Sequence, residues 1–301
     1  MWGRIAGRAR RGAYHRPDTL DEALRLLATG PLVPLAGGTD ILPADAARSA
    51  WGEPALDTPD GVGLLDLSGL SALRRIEEVG DTLEIGALVT WSDALATSLP
   101  GWFDAVRQAA CRIGGMQIQN RGTLAGNLCN ASPAADGVPP LLALDARVRL
   151  ASLGGRRELA LTDFLLGNRR TARAPEELLT HIVLPKPPAA ARSVFLKLGA
   201  RHYLVISIAM LAMTMALDDE GRIALLRLAV GACSPVAVRL PELEARLLGL
   251  TPLAASSAVE PADLAALTPI DDVRASGAYR RHAALVLLRR ALGGETARVA
   301  A

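Results

Sequence analysis

Apolar and polar positions recur along this chain with two periods, one typical of helices and one typical of strands. Leucines at helical spacing in residues 19–27 predict a helix that Asp18 or Thr19 caps and Gly30 ends. Short apolar or alternating runs predict strands at residues 33–36, 64–67, 83–86, 148–151, 193–198 and 223–231. Amphipathic or proline-led stretches predict helices at residues 91–96, 103–111, 139–146, 241–248 and 279–292. The apolar run 206–217 has the density of sheet or of buried helix, and the Ala/Ser-rich stretch 252–261 is typical of a connector.

The order of these elements predicts an α+β protein of two domains. Residues 1–184 form the first domain, in which a βαβ-like N-terminal subdomain (1–60) precedes a second α+β subdomain (61–184). The proline-rich stretch 185–188 is typical of a linker or an edge turn, because proline runs do not fit the interior of a sheet. A smaller α+β domain covers residues 190–295.

Two glycine-rich loops are the candidates for ligand binding. The stretch 119–128 mixes glycines with hydroxyl and amide residues, and a short polar run follows at 130–136. Glycines let a ligand approach the main chain closely, and successive N–H groups form an anion-binding nest, which suits a diphosphate. A buried glycine-rich turn is the alternative interpretation.

The other loop, residues 33–42, ends an apolar run in Gly37 and Gly38, followed by Thr39 and Asp40. This order predicts a strand, a tight turn and the start of the next element. Its spacing is neither the G-x-G-x-x-G of the Rossmann fold nor that of a P-loop. Two non-Rossmann loops of this kind are suited to clamping a dinucleotide.

With these two loops the chain resembles the FAD-binding (medium) subunit of the molybdenum hydroxylases, the xanthine dehydrogenase and carbon monoxide dehydrogenase family. The family's Ala-Gly-Gly-x-x-Leu and Arg-Asn-x-Gly-Thr-Ile-Gly-Gly-Asn signatures stand at residues 36–42 and 119–127. Further agreement at residues 14–24, 64–67, 83–87 and 162–179 extends the likeness over residues 13–293. Ala125 stands where the family usually has glycine, and Gln119 where it usually has arginine. Because alanine disfavours backbone angles that only glycine adopts, we expect an ordinary conformation at residue 125.

The resemblance implies a fold, a cofactor and a set of binding residues. The fold is the two-subdomain FAD-binding domain of the vanillyl-alcohol-oxidase-like (PCMH) type, followed by a smaller α+β C-terminal domain. The cofactor is FAD, with its pyrophosphate on the two loops, and no catalytic or metal-ligating side chain is implied. The residues assigned to FAD on this basis are Ala36, Gly37, Gly38, Thr39, Asp40, Ile41, Gly122, Thr123, Leu124, Ala125, Gly126, Asn127, Ser132, Asp136, Lys186, Phe195, Lys197 and Arg201.

Several of these side chains have a second interpretation. Asp136 suits ribityl or ribose hydroxyls, but it is also placed to cap a helix that begins near residue 139. By resemblance Phe195 would cover the isoalloxazine ring, and Lys197 or Arg201 would lie near its pyrimidine end. The alternative is that Phe195 belongs to the core and that both cations are solvated.

Composition argues against several other functions. The net charge of +2 is too close to zero for a nucleic-acid groove, and no uncharged apolar stretch is long enough to predict a membrane span. The three cysteines include no C-x-x-C and no His stands at ligand spacing, which argues against zinc and iron–sulfur sites. The odd number of cysteines argues against a disulfide framework, so we expect a cytoplasmic protein with reduced thiols.

The leading hypothesis is an electron-transfer flavoprotein subunit. The resemblance implies a heterotrimer in which substrate is oxidised at a molybdenum cofactor on a large subunit. Electrons would pass through [2Fe–2S] clusters of a small subunit to FAD on this chain, and then to an external acceptor. The alternatives are a stand-alone FAD oxidase of the vanillyl-alcohol type and a non-catalytic FAD-binding scaffold. The sequence leaves open the substrate and the acceptor, which is NAD, a quinone, oxygen or a ferredoxin.

Overall fold

A computed structural model describes residues 13–43 and 63–294 of the chain. A small parallel sheet begins the fold, with strands β1 (Tyr14–His15), β2 (Leu32–Leu35) and β3 (Gly63–Asp66) in the order β1-β3-β2. Helix α1 (Leu20–Thr29) joins β1 to β2, and it begins as predicted because the Thr19 hydroxyl accepts a hydrogen bond from the N–H of Glu22.

The middle strand of this sheet changes the predicted division of the first domain. Strand β3 lies between β1 and β2 and is hydrogen-bonded to both. The N-terminal unit therefore extends past residue 60, the expected end of the first subdomain, because strand pairing groups residues that the chain order separates.

The central unit is built on a five-stranded antiparallel sheet in the order β4-β5-β10-β6-β7, once its strands are numbered along the chain. The strands of this region are β4 (Ile76–Val79), β5 (Thr82–Gly86), β6 (Arg147–Ser152), β7 (Gly155–Ala160), β8 (Leu165–Gly167), β9 (Arg170–Thr171) and β10 (Leu178–Pro185). Strands β8 and β9 form a separate hairpin. The helices are α2 (Trp91–Ala96), α3 (Asp104–Ala110), α4 (Met116–Gln119), α5 (Leu124–Asn130), α6 (Val138–Ala143) and α7 (Leu161–Phe164).

The C-terminal unit is a four-stranded antiparallel sheet with strands in chain order. Its strands are β11 (Arg192–Gly199), β12 (Ser207–Leu217), β13 (Ile223–Gly231) and β14 (Val238–Arg239). Its helices are α8 (Pro241–Leu247), α9 (Pro252–Ala258) and α10 (Gly277–Leu292). Helix α9 replaces the predicted connector, since Thr251 caps it and Pro252 occupies its first turn.

Both faces of the C-terminal sheet are buried, which explains the continuous apolar run of β12. Met210 and Ala212 pack into the core of the central unit, whereas Ala209 and Leu211 pack against the C-terminal helices. The run is therefore a strand, and the same packing fixes the C-terminal unit against the central one. Among the described residues, no helix has the length and apolarity needed to cross a membrane.

Candidate functional site

A cleft of about 620 Å³ lies where the three units meet. Its walls come from the loop that follows β2, the start of α5, the β8–β9 hairpin and the end of β11. The structure brings most of the predicted FAD residues together in this cleft, namely Ala36, Gly37, Gly38, Thr39, Asp40, Ile41, Gly122, Thr123, Ala125, Gly126, Asn127, Ser132, Asp136 and Lys197. Leu124, Lys186, Phe195 and Arg201 do not line it.

The two glycine-rich loops touch each other through their backbones. A Cβ atom at Gly37 would lie 1.9 Å from the carbonyl oxygen of Arg121, so no other residue fits there without movement of the loops. Gly38 has a φ of 72°, in the left-handed region, and its carbonyl accepts a hydrogen bond from the N–H of Leu42. Glycines therefore bring the main chains into contact and leave backbone open to the cleft, as close approach of a diphosphate requires.

The segment after Gly122 is fixed by local hydrogen bonds. Thr123 precedes α5 and its hydroxyl accepts from the N–H of Gly126 at 2.9 Å, while the N–H of Leu124 donates to Val89. Leu124 points into the core and is fully buried, which explains why it does not line the cleft. Ala125 has helical backbone in α5, so the alanine in place of the family's glycine causes no strain.

Asp136 forms a buried ion pair with Lys197 at the edge of the cleft. The Lys197 Nζ lies 2.5 Å from one carboxylate oxygen, and the Ser207 hydroxyl donates to the other at 2.6 Å. Burial raises the pKa of Asp136, whereas Lys197 and Ser207 oppose that rise. Asp136 does not cap helix α6, since Gly137 holds the cap position and no side chain bonds to the helix start. The helix-cap alternative is therefore wrong.

Phe195 occupies the core and not the cleft, which corrects its expected position over the isoalloxazine ring. It is 2 % exposed, and its N–H donates to the Gln108 side chain of α3 at 2.7 Å. Phe195 and Lys197 share one face of β11, but α3 covers the first, while the second reaches the cleft. The strand pattern predicts that Phe195 and Lys197 lie on one face of β11, but it does not predict how far along that face helix α3 covers it.

Two predicted cations also lie outside the cleft. Lys186 donates to the Glu78 carboxylate at 2.8 Å and to the carbonyl of Gly80, which ties it to the turn between β4 and β5. Arg201 donates to the carbonyl of Leu204 and borders a smaller neighbouring cavity. Their basic character suggested FAD contacts, but both are engaged by nearby backbone or surface groups.

Sequence reasoning missed a polar chain at one rim of the cleft. The Asn130 amide donates to Asp40 at 3.0 Å, and its carbonyl oxygen accepts from Arg169 at 3.2 Å. Arg173 also lines the cleft and donates to backbone carbonyls of the loop that leads into β10. The sequence feature that could have indicated this rim is the turn dipeptide Gly167-Asn168, which arginines follow at positions 169, 170 and 173.

Cys129 adds a thiol to the same wall. The residue is exposed to solvent, but desolvation of its thiol by the surrounding protein raises the pKa of the thiol to about 11. The thiol is therefore protonated at neutral pH. No group of three or more His, Cys, Asp or Glu side chains suited to a metal ion occurs in the described residues.

Comparison with known proteins gives a consistent family assignment. Residues 8–187 match the model described as the FAD binding domain in molybdopterin dehydrogenase, and residues 195–294 match the CO dehydrogenase flavoprotein C-terminal domain. The nicotine 6-hydroxylase medium subunit of Paenarthrobacter nicotinovorans is 31% identical over 93% of this chain and 95% of its own. The xanthine dehydrogenase FAD-binding subunit of Escherichia coli O157:H7 is 31% identical over 90% of this chain and 91% of its own.

Solved structures agree with the fold. The reconstituted CO dehydrogenase from Oligotropha carboxidovorans contains a chain that matches with a TM-score of 0.84 and 29% identity. The match covers 95% of this chain and 97% of that one. The expected α+β architecture, a FAD-binding domain followed by a smaller C-terminal domain, is confirmed.

Proposed function

Because the chain belongs to the family of FAD-binding subunits of the molybdopterin dehydrogenases, we propose that it transfers electrons within a multi-subunit molybdenum hydroxylase. It is an oxidoreductase subunit with FAD as its cofactor. A partner chain with [2Fe–2S] clusters supplies the electrons, a large partner carries the molybdenum cofactor, and an external acceptor removes the electrons from this chain.

The contact between the two glycine-rich loops supports this proposal most directly. The loops meet at Gly37 and Arg121, and both present backbone to one cleft. The cleft has the size range of cofactor pockets. We propose that the FAD pyrophosphate binds between Gly37–Thr39 and Gly122–Asn127, with N–H groups as donors.

The other groups of the cleft would position the cofactor and limit access to it. FAD supplies the redox chemistry when bound, and the protein supplies its position, its electrostatic surroundings and access to it. Lys197 brings an ammonium group to the cleft, where the Asp136 carboxylate pairs with it and itself accepts a hydrogen bond from Ser207. Ile113, Ile118 and Ile206 give the same region an apolar surface suited to a flat ring.

The experiment that tests the proposal compares the isolated chain with the assembled complex. The purified chain should bind FAD, and aldehydes, purines or N-heterocycles should not bleach the flavin absorbance anaerobically. Addition of the large and small partner chains should allow one of these substrates to bleach the flavin.

Two outcomes would favour the other candidates. Bleaching by a substrate with the chain alone would indicate a stand-alone oxidase. FAD binding with no bleaching, even in the presence of the partner chains, would indicate a scaffold.

A further inference from the structure

We infer that Gln119 is a positioning residue for FAD, which fixes an apolar wall of the cleft before the cofactor binds. The wall consists of Ile113 and Ile118, which line the cleft together with Gly114, whereas Gln119 itself does not line it. The inference rests on the proposed function, in which this cleft holds FAD. Three observations carry it, which are the hydrogen bond of Gln119, the turn that this bond closes and the contacts of the same segment with other parts of the cleft.

The Gln119 side chain closes the turn between α3 and α4. Its amide nitrogen donates to the carbonyl oxygen of Ile113 at 3.2 Å. Helix α3 ends at Ala110, and the N–H of Ile113 still donates to the carbonyl of that residue at 3.3 Å. Carbonyl groups at and beyond the end of a helix find no partner within it. A side-chain donor therefore fixes the backbone at the point where it leaves α3.

The segment that this bond closes is a tight turn. Gly114 has a φ of 52°, and a Cβ atom there would lie 2.7 Å from the Cβ of Ile118, so the Ile118 side chain packs directly on the turn. The N–H groups of Ile118 and Gln119 both donate to the carbonyl of Gly115. The hydrogen bond from Gln119 to Ile113 therefore fixes the two isoleucines of the wall relative to each other.

The same segment contacts two other parts of the cleft. The carbonyl of Arg112 accepts a hydrogen bond from the Lys197 Nζ at 3.4 Å. At the other end of the segment, the N–H of Gly122 donates to the carbonyl of Ile118 at 2.6 Å. Gln119 therefore joins the backbone beside Lys197 to the backbone that leads into the second glycine-rich loop.

Packing alone holds this segment weakly, which gives the side-chain hydrogen bond a larger share. Helix α4 has a single turn and no buried residue, and Met116 is 71% exposed. Helices this short have little stability of their own. Without the donor of Gln119, we expect the wall to occupy other positions in the free chain. FAD would then bind only the fraction of chains in which the wall is in place, and its apparent affinity would fall by that fraction.

The test measures the rates and the dissociation constant of FAD binding to the full chain and to three variants. Gln119→Met removes the donor and keeps an unbranched side chain, whereas Gln119→Arg, the residue usual in the family, keeps N–H donors. Gln117→Met is the matched control, because Gln117 is an exposed residue of the same helix and does not line the cleft.

We expect Gln119→Met to raise the dissociation constant about fivefold, the net effect of one hydrogen bond. The change should lie in the association rate constant, because fewer free chains have the wall in place, while the dissociation rate constant stays as in wild type. Gln119→Arg and Gln117→Met should bind FAD as wild type does. Each apo variant is measured well below its midpoint of thermal unfolding, so that a general loss of stability does not enter the rates.

The possible results are distinct. An unchanged association rate constant in Gln119→Met would overturn the inference, and so would a loss that Gln117→Met reproduces. A loss confined to the dissociation rate constant would indicate direct contact with FAD and also overturn it. The same holds if Gln119→Arg binds FAD as weakly as Gln119→Met, because the donor would then not be what matters. If the wild type bound no FAD, the proposed function itself would fail.

Discussion

Replacing Gly37 with alanine tests directly whether contact between the two loops creates the FAD site. The added methyl would lie 1.9 Å from the carbonyl oxygen and 2.6 Å from the carbonyl carbon of Arg121. Both atoms are backbone, so a side-chain rotation cannot relieve the contact. To restore an ordinary separation of 3.4 Å the loops must move apart by about 1.5 Å.

The size of the effect follows from this displacement. Overpacking of this kind costs about 1–3 kcal/mol, and the upper part of the range applies because backbone must move. The hydrogen bond from Asn130, at the end of α5, to Asp40 in the first loop measures 3.0 Å, and its loss adds about 1 kcal/mol. Since about 1.4 kcal/mol corresponds to a tenfold change in affinity, we expect FAD to bind at least tenfold more weakly.

The assay is titration of the apo chain with FAD, followed by flavin fluorescence. Gly30→Ala is the matched control, because Gly30 lies in the same unit with nothing within 4 Å of its added methyl and with an extended backbone. Thermal unfolding of both apo variants separates a local change in the loops from a general loss of stability. The control should bind FAD as wild type does.

An unchanged FAD affinity in Gly37→Ala would refute the reasoning, because the site would then not depend on the contact between the loops. Gly38→Val provides an independent check through backbone angle instead of contact. The φ of 72° at this position is unfavourable for a β-branched residue, and the added Cβ atom would lie 2.9 Å from the Leu42 side chain. Full FAD occupancy in this variant would show that the first loop does not hold the pyrophosphate.

Three further predictions follow from the packing and charges around the cleft. Phe195→Ala should lower the free energy of unfolding by about 3–5 kcal/mol, since Phe195 lies in the core. If the variant kept its stability and its reduced flavin reacted faster with oxygen, the interpretation that Phe195 covers the ring would be restored. Asp136→Asn should destabilise the apo chain by about 3–5 kcal/mol because it leaves Lys197 buried without its partner. In thermal unfolding, adding Lys197→Met should recover part of this loss, and equal unfolding midpoints for the single and double variants would argue against coupling of the two residues. The hydrogen bond from Arg157 lowers the pKa of Glu177 below its ordinary value of 4.5, so the folded form holds this proton less tightly than the unfolded chain does. The stabilisation is present above pH 4.5 and is lost as pH falls through the pKa of the folded form. Glu177→Gln should therefore make the free energy of unfolding fall less steeply at acid pH. An unchanged dependence on pH would assign acid unfolding to other carboxylates.

Much of the fold could be predicted because its signals are local. The helix at Trp91–Ala96 begins at a capping box in which Thr90 and Asp93 bond to each other, and both residues are visible in the sequence. Strand β13 (Ile223–Gly231) has the bounds that its alternation predicts. The glycine-rich loops were found for the same reason, since their composition is confined to short stretches.

The remainder depends on contacts between distant residues. Phe195 was misplaced because its burial results from Gln108 and α3, about ninety residues earlier in the chain. Arg169 was missed because its place at the cleft depends on Asn130 and on the end of α5. A strand pattern gives the face on which a side chain lies, and the tertiary packing decides whether that face meets core, solvent or ligand.

The same packing makes the cleft depend on how the C-terminal unit sits on the central one. Asp145, which follows α6, accepts from Arg239 at 2.5 Å and from Arg227 at 2.7 Å, and Arg239 also donates to the carbonyl of Leu142. These contacts join the second and third units on the side of the sheet that faces α6. Lys197 enters the cleft from that sheet, so its position relative to the glycine-rich loops is set by an interface that contains neither loop. Changes in this interface should therefore alter the surroundings of Lys197 without altering the two glycine-rich loops that we propose hold the pyrophosphate.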